Sequence, residues 1–264
     1  MPLVARMTQL KHDLKNGVLT LTLDRPVQAN ALTLEMVRDL QDSMNQASID
    51  QQIRVILITG AGGSFSSGHD INEMLVVRDE KVSYGTHLRA TYNPLILQIR
   101  RIEKPVVAAI NGPAAGAGLG IALACDLRMA AASATFTVGF NAIGLVPDSG
   151  VSLFLPLLVG IGRAEEFTFN NMPISAARAL DWGLVNYLVP DESLRSESTA
   201  LVTKLAAGPV GAYGLTKKAF NNALLGNLEH VLEQEAQLQE NASKNLEHQQ
   251  GIRAFLEKRP ANFL

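Results

Sequence analysis

One cysteine in 264 residues, Cys125, leaves no partner for an internal disulfide and fits a reducing compartment. Charge is also scarce: 18% of residues are charged and the net charge is −2. That balance lacks the basic footprint of a nucleic-acid binder and offers nothing to an anionic membrane surface. Glycine, proline or charge interrupts every apolar run well before the roughly 18 residues of a transmembrane helix. Met1 to Leu10 lacks a continuous apolar stretch and a small-residue cleavage site, so no secretory leader is expected and the cytoplasm is the default location. The five histidines, His12, His69, His87, His230 and His248, share no metal-ligand spacing. There is no Gly-x-Ser-x-Gly elbow, no tandem repeat and no low-complexity segment. Neither a metal nor a resident cofactor is expected.

What is present is a chain 47% hydrophobic, long enough for a sizeable core. Leu19, Leu21 and Leu23 alternate with Thr20 and Thr22, which reads as a half-buried strand. Thr33 can cap a helix running to about Ala47, with Leu34, Val37, Leu40, Met44 and Ala47 as its apolar stripe. Ile53 to Thr59, Val106 to Ile110, Leu127 to Ala131, Thr135 to Val138 and Leu184 to Val189 read as short strands. Thr91 to Ile102, Ala117 to Ala124, Ser149 to Val159 and Ala176 to Asp181 read as helices. After Pro190 strand signals stop. Glu192 to Ala206, Val210 to Leu225 and Leu228 to Leu246 read as three helices, the last with Leu228, Val231, Leu232, Glu235, Leu238, Ala242 and Leu246 near helical spacing. The order is strands mixed with helices, then helices alone, so the fold class is α/β with a helical C-terminal region.

Three segments could carry chemistry. In Ser64 to Ile71 a glycine-bearing turn follows a strand and opens a helix, with Asp70 and Glu73 spaced like a capping box. The amides near Gly68 and His69 would then face outward at a positive helix end, or the segment is an ordinary capped turn. Asn111 to Gly120 is a loop of tiny side chains that lets a ligand approach the backbone, or that simply packs tightly. Its Gly116-x-Gly118-x-Gly120 spacing is not the dinucleotide fingerprint, and no Walker loop is present. In Ile143 to Gly150, Asp148 is either a helix N-cap or a carboxylate held among Leu145, Val146 and Phe140. Desolvation there would raise its pKa and suit it to proton transfer, and the two readings are compatible.

In this order the segments resemble the crotonase superfamily, the enoyl-CoA hydratase/isomerase family. Arg25-Pro26 with Asn30-Ala31-Leu32 is similar to the family's first coenzyme A loop, and Phe65 to Ile71 to its first oxyanion segment. Pro105 to Gly118 is similar to the second oxyanion segment, and Gly144 to Asp148 to the third motif. Ala179 to Val185 and Phe255 to Arg259 also fit. The resemblance implies a spiral of β-β-α units over residues 1–200 with an acyl-CoA site, and a helical oligomerisation region over 201–264. It implies an acyl-CoA substrate, coenzyme A entering only as part of that substrate, and a homotrimer or hexamer.

By the same resemblance the backbone N–H groups of His69 and Ala117 form an oxyanion hole, a type of donor worth roughly 100- to 1000-fold in rate. Arg25, Ala29, Ser67, Gly68, Asp70, Ile71, Gly116 and Phe140 are the implied substrate contacts, and Lys258 is implied to reach a phosphate, on a neighbouring subunit in one reading. Hydratases of the family carry two glutamates; this chain has Gly120 and Phe140 there. Asp148 is the carboxylate left, at the position used by isomerases of ring-1,2-epoxyphenylacetyl-CoA and of enoyl-CoA double bonds. The chlorobenzoyl-CoA dehalogenase branch carries a histidine where this chain has Asn93 and a tryptophan where it has Phe140. Double-bond isomerisation is therefore expected, with a hydratase or other lyase using a different base, or a non-catalytic acyl-CoA-binding protein, as alternatives.

Overall fold

A computed structural model describes residues 9–74 and 83–264. The start of the Met1 to Leu10 reading, and residues 75–82, lie outside the described residues. Six strands form the main sheet: β1 (Leu10–Lys15), β2 (Val18–Leu23), β3 (Val55–Gly60), β4 (Val106–Ile110), β6 (Leu127–Ala131) and β9 (Tyr187–Val189), in that spatial order. β1 and β2 are antiparallel, with Leu10 opposite Leu23; every other pair is parallel, for example Ile56 beside Val106 and Met129 beside Tyr187. A second sheet joins β5 (Ala114–Ala115), β7 (Thr135–Thr137) and β8 (Ile174–Ser175).

The central parallel strands β3 and β4 are buried on both faces along most of their length, which explains their apolar runs. Ile56 and Ile58 of β3 face one core, packed with Leu40 and Met44 of α1 (Leu34–Ile49) and Leu95, Ile96 and Ile99 of α3 (Tyr92–Arg101). Val55 and Leu57 face a smaller core closed by Leu194, Val202 and Ala206 of α8 (Leu194–Ala207). Thr33 caps α1, its side chain accepting the Met36 N–H at 3.1 Å.

Several elements depart from the sequence reading. β1 was not anticipated because it is an edge strand whose LKHDLK sequence exposes every residue but Leu10. α2 (Tyr84–Ala90) and α6 (Ile161–Asn170) were also unread. The other helices before Pro190 fall where expected: α4 (Gly116–Ala124), α5 (Val151–Val159) and α7 (Ala176–Asp181). Beyond α8 and α9 (Val210–Leu224), the last expected helix is α10 (Leu228–Ser243), which ends before Lys244-Asn245, and a further helix that the sequence reading lacks, α11 (Leu246–Leu256), follows. The buried stripe of α10 is Leu228, Leu232, Glu235, Ala236, Gln239 and Ala242, while Leu238 and Leu246 are exposed.

Candidate active site

Two loop crossings build the site. Leu32 and His69 form a parallel bridge in which the Leu32 N–H donates to Gly68 O (2.8 Å) and the Asp70 N–H to Leu32 O (2.9 Å). This pairing uses the groups flanking His69, so the His69 N–H points away from Leu32. A second parallel bridge joins Ser66 to Ala114, with the Ala115 N–H donating to Ser66 O at 2.9 Å. Three residues beyond each partner lie His69 and Ala117. Ala117 is the second residue of α4, where N–H groups have no acceptor within the helix. Gly68 sits between the two segments: a Cβ there would lie 3.4 Å from the Ala117 nitrogen and 3.0 Å from Ala115 O, at a φ of +92°. Only glycine lets the loops approach this closely.

These loops open onto a cavity of about 460 Å³. Ser67, Gly68, His69, Asp70, Ile71, Gly116, Ala117, Phe140 and Asp148 line it, so nine of the twelve expected site residues meet at one place. Arg25, Ala29 and Lys258 lie off its wall. Arg25 is turned inward, donating to Ala31 O (2.6 Å) and pairing with Asp70 (2.7 Å). That pair and the Asn72 N–H, which Asp70 accepts at 3.0 Å, outweigh desolvation and lower the Asp70 pKa. The capping box is only half formed. Asp70 caps its own turn, but Glu73 accepts the Leu34 N–H at 2.6 Å and serves the start of α1 instead.

Asp148 is 6% exposed. It does not cap α5. The acceptor there is Glu235 of α10, which takes the Gly150 N–H (2.9 Å), the Ser152 N–H (3.1 Å) and the Ser152 hydroxyl (2.5 Å). Asp148 Oδ1 instead accepts the Ser149 hydroxyl at 2.8 Å, and Oδ2 accepts the Gln239 amide at 2.7 Å. Burial pushes Asp148 up to about 6, against the lowering effect of those two donors. Burial, with the Asp148 charge nearby, pushes Glu235 up to about 7 although its three donors oppose the rise.

Neither position where the resemblance places a hydratase glutamate carries a carboxyl, and Gly120 has no room for one. A Cβ on Gly120 would stand 2.7 Å from Ser149 Cβ and 2.8 Å from Ser149 O. Phe140 is buried on the cavity wall. The His69 imidazole lies 2.8 Å from the Tyr92 hydroxyl and edge-on to His87, and burial drives it down to about 3, so it is uncharged. His87 is likewise lowered by burial, and Tyr92 raised well above its usual value.

Sequence reasoning missed Tyr84, His87, Tyr92, Ile143 and Gln239 on the cavity wall, and Glu235 behind it. A signal existed for α10: Glu235 stood inside an apolar stripe, and a polar residue there calls for a buried partner.

The comparisons with known proteins agree with this arrangement. The enoyl-CoA hydratase/isomerase family model matches residues 13–264. The chain is 37% identical to the 1,2-epoxyphenylacetyl-CoA isomerase of Escherichia coli (94% of this chain, 95% of the relative), and 38% identical to a probable enoyl-CoA hydratase of Rhodobacter capsulatus (96% and 97%). Among solved structures, an enoyl-CoA hydratase from Mycobacterium avium subsp. paratuberculosis superposes with a TM-score of 0.87 at 35% identity, covering 97% of this chain and 98% of that one. With two bridged loops, a shared cavity and a match along nearly its whole length, the chain belongs to the enoyl-CoA hydratase/isomerase family of the crotonase superfamily.

Proposed function

We propose that the protein shifts a carbon–carbon double bond in an enoyl-CoA thioester, with Asp148 as the single acid/base. The thioester oxygen lies between the His69 and Ala117 N–H groups. Asp148 takes a proton from one carbon of the acyl chain, and the negative charge moves onto the thioester oxygen. The same carboxyl then returns the proton to a second carbon, so no water is added. A carboxyl with a pKa of about 6 suits both halves of this exchange near neutral pH.

The observation that carries the reading is the pairing of a buried Asp148 on the cavity wall with a Gly120 that has no room for a glutamate. The E. coli relative's name, an isomerase of a CoA thioester, points the same way. Hydration by another base is the competing reading, favoured by the name of the R. capsulatus relative. Coenzyme A contacts at Arg25, Ala29 and Lys258, a cytoplasmic location and assembly as a homotrimer or paired trimers belong to the same proposal.

The test supplies 3-enoyl-CoA and follows the conjugated 2-enoyl thioester in the ultraviolet. Asp148→Asn is expected to lower the rate at least about 100-fold. An unchanged rate removes Asp148 from the mechanism, and 3-hydroxyacyl-CoA formed from a 2-enoyl-CoA would favour the hydratase reading.

A further inference from the structure

Helix α10 of the C-terminal region reaches into the site as well as packing against the core. Three of its residues, spaced i, i+3 and i+7 on one face, each hold a different part of the site. Leu232 O accepts the Asn93 side-chain amide at 3.0 Å, Glu235 holds the start of α5, and Gln239 meets Asp148. Gln239 is 2% exposed and lines the cavity. Its Oε1 accepts the Val146 N–H at 3.1 Å while its Nε2 donates to Asp148 Oδ2 at 2.7 Å. One amide therefore grips both sides of Pro147. It has one orientation only, because a flipped amide would set oxygen against the Asp148 carboxyl oxygen and N–H against the Val146 N–H.

We propose that Gln239 is the positioning residue of the acid/base: its amide fixes the Asp148 carboxyl in one orientation and favours the proton-accepting form. The proposal rests on the isomerase reading for its kinetic consequence but not for its geometry. The reason is a difference between protonation states. A neutral N–H donor binds an ionised carboxylate more strongly than a protonated one, so it opposes the effect of burial. Other ionisable groups face the same carboxyl: Glu235 on α10 and Tyr92 on α3, with His69 and His87 along the cavity wall. None of them donates a hydrogen bond to Asp148, whose two donors among the described residues are Ser149 and Gln239.

The experiment replaces Gln239 by Met, which keeps the length and removes both polar atoms, and separately by Asn, which withdraws the amide. Titration of the Asp148 carboxyl is read without turnover, from the infrared band lost in Asp148→Asn. The expected midpoint lies near 6 in the parent protein and moves up by about one to two pH units in Gln239→Met, the size of a lost hydrogen bond to a charged group. The acid limb of kcat/KM moves by the same amount. At pH 7 activity falls about two- to tenfold, mainly in kcat, and returns by about pH 9. A merely structural defect would not recover with pH.

Should one variant fail to fold by circular dichroism, the other decides. A midpoint and acid limb unchanged in a folded variant would overturn the positioning role and leave the isomerase reading standing. A shifted midpoint in a protein that turns over no 3-enoyl-CoA would uphold the positioning role and overturn the isomerase reading.

Discussion

At the residue scale the site is organised by displacement. Ser149, at φ +57°, and Gly150, at +79°, place two successive left-handed residues directly after Asp148. That backbone costs of order 1–3 kcal/mol at a residue other than glycine, and it survives because the surroundings hold it. One surrounding is the missing side chain of Gly120, into whose space the Ser149 Cβ fits. The bare Gly120 and the backbone that carries Asp148 are thus one packing arrangement.

The raised pKa of Asp148 also has a cost in stability. The carboxyl titrates near 3.8 when free and near 6 when folded, so the native state holds its proton more tightly. Stability from this group is complete below about pH 4 and is lost as pH rises through 6. Asp148→Asn, which cannot ionise, should therefore be more stable than the parent above pH 7 by roughly 2–3 kcal/mol, and lose that advantage toward pH 4. Urea unfolding at pH 8 and pH 4 measures it. A difference independent of pH would show that the buried carboxyl titrates normally.

At the scale of elements, the N-terminus of α5 is capped from a distance. No side chain of its own loop caps it, and Glu235 supplies the acceptor across the core. Glu235→Ala would leave two amides and a hydroxyl without partners, costing about 2–4 kcal/mol at pH 5. The sign of the pH effect follows from the folded value of about 7 against 4.5 when free. Stability from Glu235 is present below pH 4.5 and fades through 7, so the cost of the substitution should shrink toward pH 8. Chemical denaturation across that range tests this, and a cost that grows with pH would contradict the cap as described.

This element also shows the reach of sequence reading. The helical pattern of 228–246 is legible in the sequence, and its buried face only in part: Leu228, Leu232, Glu235 and Ala242 are buried as expected. Leu238, apolar, is 52% exposed, and Gln239, polar, is buried. Periodicity finds a helix; which side is inward depends on what stands opposite. Here that is a carboxyl from residue 148.

At the scale of the whole molecule, large apolar side chains remain uncovered. Phe169 is 70% exposed, Phe220 63% and Leu224 64%. Single exposed apolar residues are ordinary, but α9 presents Phe220 and Leu224, one turn apart, on the same outer face. Sedimentation equilibrium at micromolar protein should give the mass of three or six chains. A monomer under those conditions would dispose of the proposed assembly.

Local sequence alone determined the short apolar strands, the capped helix after Thr33 and the small-residue loops, and the order of its motifs the family resemblance that singles out Asp148. Those features follow from side-chain periodicity, turn chemistry and motif order, all carried by neighbours in the chain. What only the tertiary structure decided is which donors meet Asp148, where Arg25 and Glu73 turn, and why Gly120 must stay bare. Each of these depends on groups tens of residues apart, Asp148 and Gln239 being 91 apart, and burial gives such meetings their energy by removing competing water.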